Sequence, residues 1–212
     1  MRKAFRTAYE GVLAIGSLRL HGSWALFVVA PLLLLPNNPG DREPTMVTMS
    51  GHRCGVERAA VKNLTDPDAP LVNLLPIPAT VESLAALPIP AGWSKDSPRL
   101  PDERQTYTVR AELVGAKREG DSDYHLVLRG TTGATMIAEI PDPRCAAGSR
   151  FVAQLASVRM AFDARWGAAQ STGWTRIGQM VEVTGPLFLD EVHGQSGVAP
   201  NGAEIHPVLS IR

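Results

Sequence analysis

The clearest pattern of apolar and polar positions begins at residue 105. Apolar residues alternate with polar ones from Tyr107 to Leu113, which is the period of a half-buried strand. Two further apolar runs follow at 124–128 and 134–140, and each comes after a short segment rich in turn residues. The pattern therefore predicts three consecutive antiparallel strands.

The period then changes to that of a helix. Five apolar residues fall on one stripe of an amphipathic helix: Phe151, Leu155, Val158, Phe162 and Trp166. After this helix, the pattern predicts a fourth strand at 180–189, a Gly-rich loop at 190–203 and a fifth strand at 204–211.

The predicted order is three strands, one helix and two strands. This is the order of the OB-fold, a five-stranded Greek-key barrel. We therefore expect a mainly β (α+β) protein, with an OB-fold-like barrel domain at 104–212 and one helix between strands 3 and 4. An open α+β sheet is the alternative, but one helix closes the base of a barrel more readily than it covers an open sheet.

The segment before the barrel is rich in proline, since 12 of the 17 prolines lie between Pro31 and Pro101. Residues 37–103 are therefore predicted to form a Pro-rich extension. It contains one short helix at 80–87, with Thr80 as the N-cap and Pro88 as the stop.

Residues 1–36 have the pattern of a signal peptide. Four basic residues precede an apolar run at 24–35, which is shorter than the roughly 20 residues that a spanning helix needs. No A-x-A cleavage site follows, so a membrane anchor, a buried core helix and a misassigned start are alternatives. The favoured interpretation is an exported protein (periplasmic, secreted or membrane-tethered) that meets a membrane only through this segment, if it is uncleaved.

The charge of the chain argues against nucleic acid as a partner. The chain has 21 basic and 21 acidic residues, and residues 1–36 hold four of the basic and one of the acidic ones. The remainder therefore carries 17 basic and 20 acidic residues, and a mildly acidic protein gains little from counterion release. A small ligand or a protein is the expected partner.

The two cysteines, Cys54 and Cys145, belong to no CxxC motif, which excludes zinc ribbons, zinc fingers and thioredoxin-like redox motifs. In an oxidising compartment, the simplest interpretation is a disulfide that ties the extension to the barrel. Two buried free thiols are the alternative.

Three blocks resemble a group of bacterial exported hypothetical proteins: 123–128 (DYHLVL), 135–145 (TMIAEIPDPRC) and 193–208 (HGQSGVAPNGAEIHPV). The segment from Cys54 to Asp66 is similar to the amino-terminal block of the same group. The resemblance covers roughly 50–212. It implies co-occurring cysteines and an OB-like barrel, and it implies no particular reaction.

Acidic residues and histidines concentrate at the last strand and its loop. Asp190 and His193 flank the loop that returns into Glu204 and His206, so we expect these four side chains to approach one another. Imidazole and carboxylate groups together suit Zn²⁺ or another divalent metal ion, and they can also supply a general base. A structural clamp on the loop is the alternative.

A secondary candidate site lies at the start of the second strand. Asp123 and His125 are two residues apart, so strand alternation places them on one face. Tyr124 lies between them and is a candidate for stacking on a base or a sugar. A solvated acidic turn and core packing of the tyrosine are the alternatives.

These observations favour an exported, OB-fold-like binding or interaction module of unknown ligand, with the loop 190–203 as its functional surface. The alternative is a metal-dependent hydrolase, of the nuclease or phosphodiesterase kind, that uses Asp190, His193, Glu204 and His206. The residues leave open whether the protein is an enzyme, and a divalent metal ion is the one cofactor that they suggest.

Overall fold

The structure is a computed structural model that describes residues 38–42, 44–167 and 172–212. The predicted signal segment at 1–36 lies outside the described residues. The helices of the described part are α1 (Ala59–Lys62), α2 (Val81–Ala85) and α3 (Val152–Trp166). The strands are β1 (Thr45–Val47), β2 (Arg53–Gly55), β3 (Asn73–Ala79), β4 (Gln105–Arg118), β5 (Tyr124–Arg129), β6 (Thr135–Ile140), β7 (Thr175–Leu189), β8 (Ala203–Ile205) and β9 (Ser210–Ile211).

Five of these strands close into a barrel. β4 pairs with β5, β5 with β6, β8 with β7, and β7 with β4, all antiparallel, while β6 and β8 are parallel. The helix α3 lies between β6 and β7 in the chain. This arrangement confirms the prediction of a mainly β protein with an OB-fold-like barrel and one helix between its third and fourth strands.

Alternate residues of each strand point into the barrel and form its core. On β5 these are Tyr124, Leu126 and Leu128, and on β6 the core residues include Met136 and Ile140. The residues between these positions point away from the core, on what we call the outer face of the barrel. The apolar stripe of α3 divides between two clusters. Val158, Phe162 and Trp166 pack against the barrel core, and Phe151 and Leu155 pack in a second cluster with residues of the extension.

The fifth strand differs from its prediction. A single strand over 204–211 is wrong, because the chain leaves the sheet after β8 and returns only at β9. Gly185 of β7 faces this bulge, and the carbonyl oxygen of Pro207 occupies the space that a side chain would need there. Bulges re-aim side chains, and this one carries His206.

The Pro-rich extension packs along the barrel. β3 pairs in parallel with the start of β4, and α2, the predicted short helix, buries Val81 and Leu84 in the barrel core. Just before α1, the guanidinium of Arg58 donates two hydrogen bonds to the carboxylate of Glu103, at 2.6 and 2.7 Å. Arg58 also donates a hydrogen bond to the carbonyl oxygen of Leu189 on β7 at 2.8 Å, so the extension joins the barrel through this contact and through α2.

Cys54 of β2 and Cys145, which follows β6, form the predicted disulfide, with Cα atoms 5.6 Å apart. The bond ties the extension to the barrel and hints at an oxidising environment outside the cell. Among the described residues, no helix combines the length and the apolar composition that a membrane crossing requires.

Removing the disulfide should destabilise the protein. The two cysteines are 91 residues apart, and opening a loop of that size frees chain entropy in the unfolded state worth about 4 to 5 kcal/mol. We expect Cys54→Ser/Cys145→Ser to lower the free energy of unfolding by that amount in urea denaturation. Reducing agent should lower the denaturation midpoint of the wild type and leave that of the variant unchanged. Equal midpoints for the two proteins without reducing agent would contradict this prediction.

Glu82 should make stability depend on pH. Its carboxylate accepts a hydrogen bond from the backbone N–H of Thr132 at 2.9 Å, which joins α2 to the β5–β6 turn. This bond and the hydroxyl of Thr132 lower the pKa of Glu82 to about 2. Because this pKa is lower in the folded protein than in the unfolded chain, the contribution to stability is complete above about pH 5 and is lost as the pH falls towards 2.

Urea denaturation between pH 2.5 and 7 tests this dependence. Glu82→Gln should be less stable than the wild type at pH 7, and the difference should shrink steadily below pH 4. Glu191→Gln, at an exposed glutamate of another loop, is the matched control. A difference for Glu82→Gln that stays constant across the range would overturn the prediction.

Candidate functional site

A row of ionisable side chains crosses the outer face of the barrel. Lys117 of β4 is the register partner of His125 on β5, and His125 is the partner of Glu139 on β6. The parallel register of β6 and β8 brings His206 beside Glu139. The sheet therefore makes neighbours of four charged or polar residues that are far apart in the chain, and all four are buried.

Two segments cover this row. The loop between β7 and β8 packs on β5: a Cβ atom at Gly197 would lie 2.6 Å from Val127 Cγ1, and its φ of +83° also favours glycine. The turn at 39–41 packs beside this loop, where Asp41 contacts Lys117 and Ser196. The buried ionisable residues enclosed in this way form what we call the polar cluster: Asp41, Lys62, Lys117, Glu119, Asp121, Asp123, His125, Glu139, Asp190, Glu204 and His206.

The part of the cluster around His125, the His125 half, contains its own cations. Lys117 Nζ lies 2.7 Å from Asp41 Oδ2 and 3.3 Å from Glu119 Oε1. His125 Nδ1 lies 3.0 Å from Glu119 Oε1, and Nε2 donates a hydrogen bond to the carbonyl of Ser196 at 2.8 Å. The backbone N–H of Ser196 donates to Asp41 at 2.6 Å, so barrel, loop and extension meet here.

The pKa values agree with this geometry. Burial alone would lower the pKa of His125, but the carboxylates of Glu119 and Glu139 raise it well above its usual range. Burial would raise the pKa of Asp41, but hydrogen bonds from Lys117 and Ser196 leave it below its ordinary value. His125 is therefore an imidazolium at neutral pH, and Asp41 is ionised.

The remaining part, the His206 half, is composed differently. His206 Nδ1 lies 3.0 Å from Glu139 Oε2, and Nε2 lies 3.9 Å from Asp123 Oδ2. Neither nitrogen is aligned for a hydrogen bond with any described residue, although the ring is fully buried. Phe188 packs beside the ring, with the two ring centroids 5.6 Å apart.

Burial dominates the pKa values of His206, Asp121 and Asp123 in the His206 half. Burial lowers the pKa of His206 in spite of the neighbouring Glu139, so the ring is neutral. Burial raises the pKa of Asp123 well above its usual range, and the charges of Asp121 and Glu139 raise it further. The pKa of Asp121 is raised to about 6 by burial and by the negative charge of Glu139. Acidic groups are in excess in this half.

Two groups of three residues have donor atoms close enough to hold a metal ion. In each group, one donor atom from every residue lies within 4.8 Å of the others. The first group is Asp41, Glu119 and His125, and the second is Asp123, Glu139 and His206.

The four residues predicted at the last strand and its loop do not all meet. Asp190, Glu204 and His206 are buried in the polar cluster, whereas His193 is exposed on the loop. Burial raises the pKa of Glu204 well above its usual range, and the negative charge of Asp190 adds to this. Lys62 Nζ lies 3.9 Å from Asp190 Oδ2. The structure brings three of the four side chains together and leaves His193 outside.

The predicted secondary site is divided between the two faces of β5. Asp123 and His125 reach the outer face together, in agreement with strand alternation. Tyr124 points into the barrel, where its hydroxyl donates to Asp163 at 2.9 Å and its ring contacts Phe162. The stacking role predicted for Tyr124 is wrong, because alternation turns this side chain into the core.

Several members of the cluster were not predicted from the sequence. Glu139 had a recognisable signal, since it is an acidic residue inside an otherwise apolar strand, and such residues are buried only when they are paired. Asp41 had no comparable signal, because its neighbours in the cluster, Lys117 and Ser196, are distant in sequence.

A cleft of about 590 Å³ opens beside the His125 half. Its buried lining includes Asp41, Lys117 and Glu119. Its exposed lining includes three arginines: Arg42, Arg53 and Arg118. None of these arginines forms an ion pair with another residue of the described part of the chain.

Replacing Lys117 should destabilise the protein strongly. Lys117→Met leaves Asp41 and Glu119 buried without their ammonium partner, and breaking a buried ion pair from one side costs about 3 to 5 kcal/mol. We expect urea denaturation at pH 7 to show a loss of this size and Asp41→Asn in the same chain to recover part of it. Lys95→Met, at an exposed lysine, is the control; equal stability of the two lysine variants would refute the prediction.

Comparison of the chain with protein-family models, with curated proteins and with solved structures found no match. The function is therefore inferred from the chemistry of the site. Two features of the site bear on the question of a ligand: the three arginines of the cleft and the His206 half of the polar cluster.

Proposed function

We propose that the protein is an exported binding module that takes a small anionic molecule, one with a phosphate or carboxylate group, into the cleft at Arg42, Arg53 and Arg118. The observation that carries this proposal is that three exposed guanidinium groups line one cleft without an ion-pair partner among the described residues. The volume of about 590 Å³ lies within the range of small-molecule sites, roughly 300 to 1,000 Å³.

The charges around the cleft support an anion as the ligand. Guanidinium groups bind phosphate and carboxylate through two parallel hydrogen bonds, which gives both strength and orientation. The charge of Lys117 is balanced by Asp41 and Glu119, so the arginines leave the cleft positive. Because residues 37–212 are acidic overall, this positive charge is local, and it favours a small anion over a nucleic acid.

The position of the cleft on the barrel also supports ligand binding. It lies where β4 ends and turns towards β5, since its lining includes Arg118, Glu119 and Gly120. In OB-folds, the second and third strands and the loops after the first and fourth strands are the usual ligand side. The turn from β4 to β5 is the first of these loops. Fold alone does not establish a function, so this agreement is secondary to the arginines.

Export is part of the same proposal. The disulfide between Cys54 and Cys145 is of a kind that persists in oxidising compartments, and residues 1–36 have the pattern of a signal peptide. The ligand is then a solute of the periplasm or of the surrounding medium.

Burial does not favour the alternative of a metal-dependent hydrolase. Asp190, Glu204 and His206 lie beneath the loop and the extension, and each is at most 3 % exposed. The bond to be cleaved would have to reach these side chains, whereas His193 is on the surface. We therefore assign the function to the open cleft.

Calorimetric titration of the disulfide-bonded, EDTA-treated protein with inorganic phosphate tests the proposal. We expect saturable binding that weakens as salt is added. Arg53→Ala and Arg118→Ala should each weaken it about tenfold or more, because a hydrogen bond to a charged group contributes about 1.5 to 3 kcal/mol. Arg110→Ala is the matched control, since Arg110 is an exposed arginine of the same strand as Arg118 and does not line the cleft.

Two results would reject the proposal. One is the absence of saturable phosphate binding to the wild type at low salt. The other is an affinity that falls equally in Arg118→Ala and in Arg110→Ala, which would indicate a non-specific charge effect.

A further inference from the structure

We propose that Asp123, Glu139 and His206 form a buried structural site for one divalent transition-metal ion of the Zn²⁺ or Mn²⁺ class. The site lies between the outer face of the barrel and the segments that cover it. It is separate from the anion cleft and does not depend on the function proposed above.

The geometry of the three side chains suits a shared ion. One donor atom from each residue lies within 4.8 Å of the others. Bonds of about 2.0 to 2.2 Å bring donor atoms to within roughly 3.5 Å of one another, so binding requires only that the side chains move together by about an ångström. β6 holds Glu139, His206 directly follows β8, which is paired with β6, and the turn before β5 supplies Asp123.

The unpaired nitrogens of His206 are an independent observation that indicates a ligand. The ring is 0 % exposed, yet neither nitrogen has an aligned hydrogen-bond partner among the described residues. Buried polar atoms in folded proteins are nearly always paired, and leaving one unpaired costs about 1 to 3 kcal/mol. An ion bound to His206 removes this cost for one of the two nitrogens.

Asp123 is oriented for the same role. Its Oδ1 accepts a hydrogen bond from the backbone N–H of Asp142 at 2.7 Å, which fixes the carboxylate. Its Oδ2 is the oxygen that faces His206. A ligand that is held by a backbone donor on one oxygen and offers the other is typical of a built metal site.

The His125 half provides an internal comparison. Asp41, Glu119 and His125 have the same donor types at similar distances. There, however, the Nζ atom of Lys117 lies 2.7 Å from one carboxylate and 3.3 Å from the other, and His125 donates to a backbone carbonyl. In that half, the ammonium group of Lys117 contacts both carboxylates closely. In the His206 half, Glu139 Oε1 faces His125 Nδ1 only at 3.5 Å, and Asp123 Oδ2 faces His206 Nε2 only at 3.9 Å, so this is the half that an ion completes.

The donor set determines the class of ion. One imidazole with two carboxylates suits Zn²⁺ or Mn²⁺, whereas Ca²⁺ and Mg²⁺ prefer oxygen ligands throughout. Three protein ligands leave one position for a water molecule, and the burial of all three residues keeps a substrate away from that position, which favours a structural role. An ion that binds only the folded chain stabilises it by mass action.

The test is a titration of the full-length, disulfide-bonded, EDTA-treated protein with ZnCl2 and MnCl2, followed by calorimetry and thermal unfolding. We expect one ion per chain and a Tm that rises with ion concentration, with little effect of CaCl2. His206→Gln and Glu139→Gln should bind at least about a hundredfold more weakly, since even second-shell changes cost 10- to 100-fold. Glu119→Gln, the matched change in the His125 half, and His193→Gln should retain binding.

X-ray absorption at the zinc edge of the loaded wild type keeps the test decisive if a ligand variant fails to fold. We expect one imidazole nitrogen together with oxygen ligands around the zinc. A shell without imidazole, or with two or more, would overturn the proposal. So would the absence of stoichiometric binding to the wild type, or equal losses in His206→Gln and Glu119→Gln.

Discussion

The ion pair between Lys117 and Asp41, with Nζ and Oδ2 2.7 Å apart, joins the barrel to the segment that covers it. The same carboxylate accepts hydrogen bonds from the backbone and the hydroxyl of Ser196, so one side chain also holds the β7–β8 loop in place. Removing a charge from water costs several kcal/mol, and only a close partner of opposite sign offsets that cost. Burial of the outer face therefore depends on this contact and on the few others like it.

The two halves of the polar cluster satisfy that requirement in different ways. Around His125, an ammonium group and an imidazolium balance the carboxylates. Around His206, the acidic groups Asp121 and Asp123 have raised pKa values because burial and like charges act on them together. The arginines of the cleft lie at the edge of the first half, where they face solvent. The molecule thus has an open, positively charged cleft next to the buried His206 half of the polar cluster, in which acidic groups are in excess.

Much of the fold was predictable because it rests on local patterns. The apolar runs located β5 and β6 closely, alternation located the middle of β4 but not its full length to Arg118, and the stripe from Phe151 to Trp166 located α3. The prediction failed where tertiary packing decides the backbone, as in the bulge between β8 and β9, which depends on the fit of Pro207 against Gly185. The candidate site was predictable in part: Asp123, His125, Glu204 and His206 were recognised by residue type, but Tyr124 and His193 point elsewhere.

The sequence by itself determined the order of the strands, because hydrophobic periodicity is a property of the chain alone, and it favoured a barrel and a disulfide between its two cysteines. The closure of the barrel was decided by the pairing of β7 with β4 and of β6 with β8. Only the tertiary structure decided which polar residues meet. Lys117, His125, Glu139 and His206 become neighbours through strand register, and Asp41 reaches them from the extension. Strand register and the packing of the covering segments both arise from contacts between distant parts of the chain. The energies of these contacts depend on burial and charge, which no local pattern records.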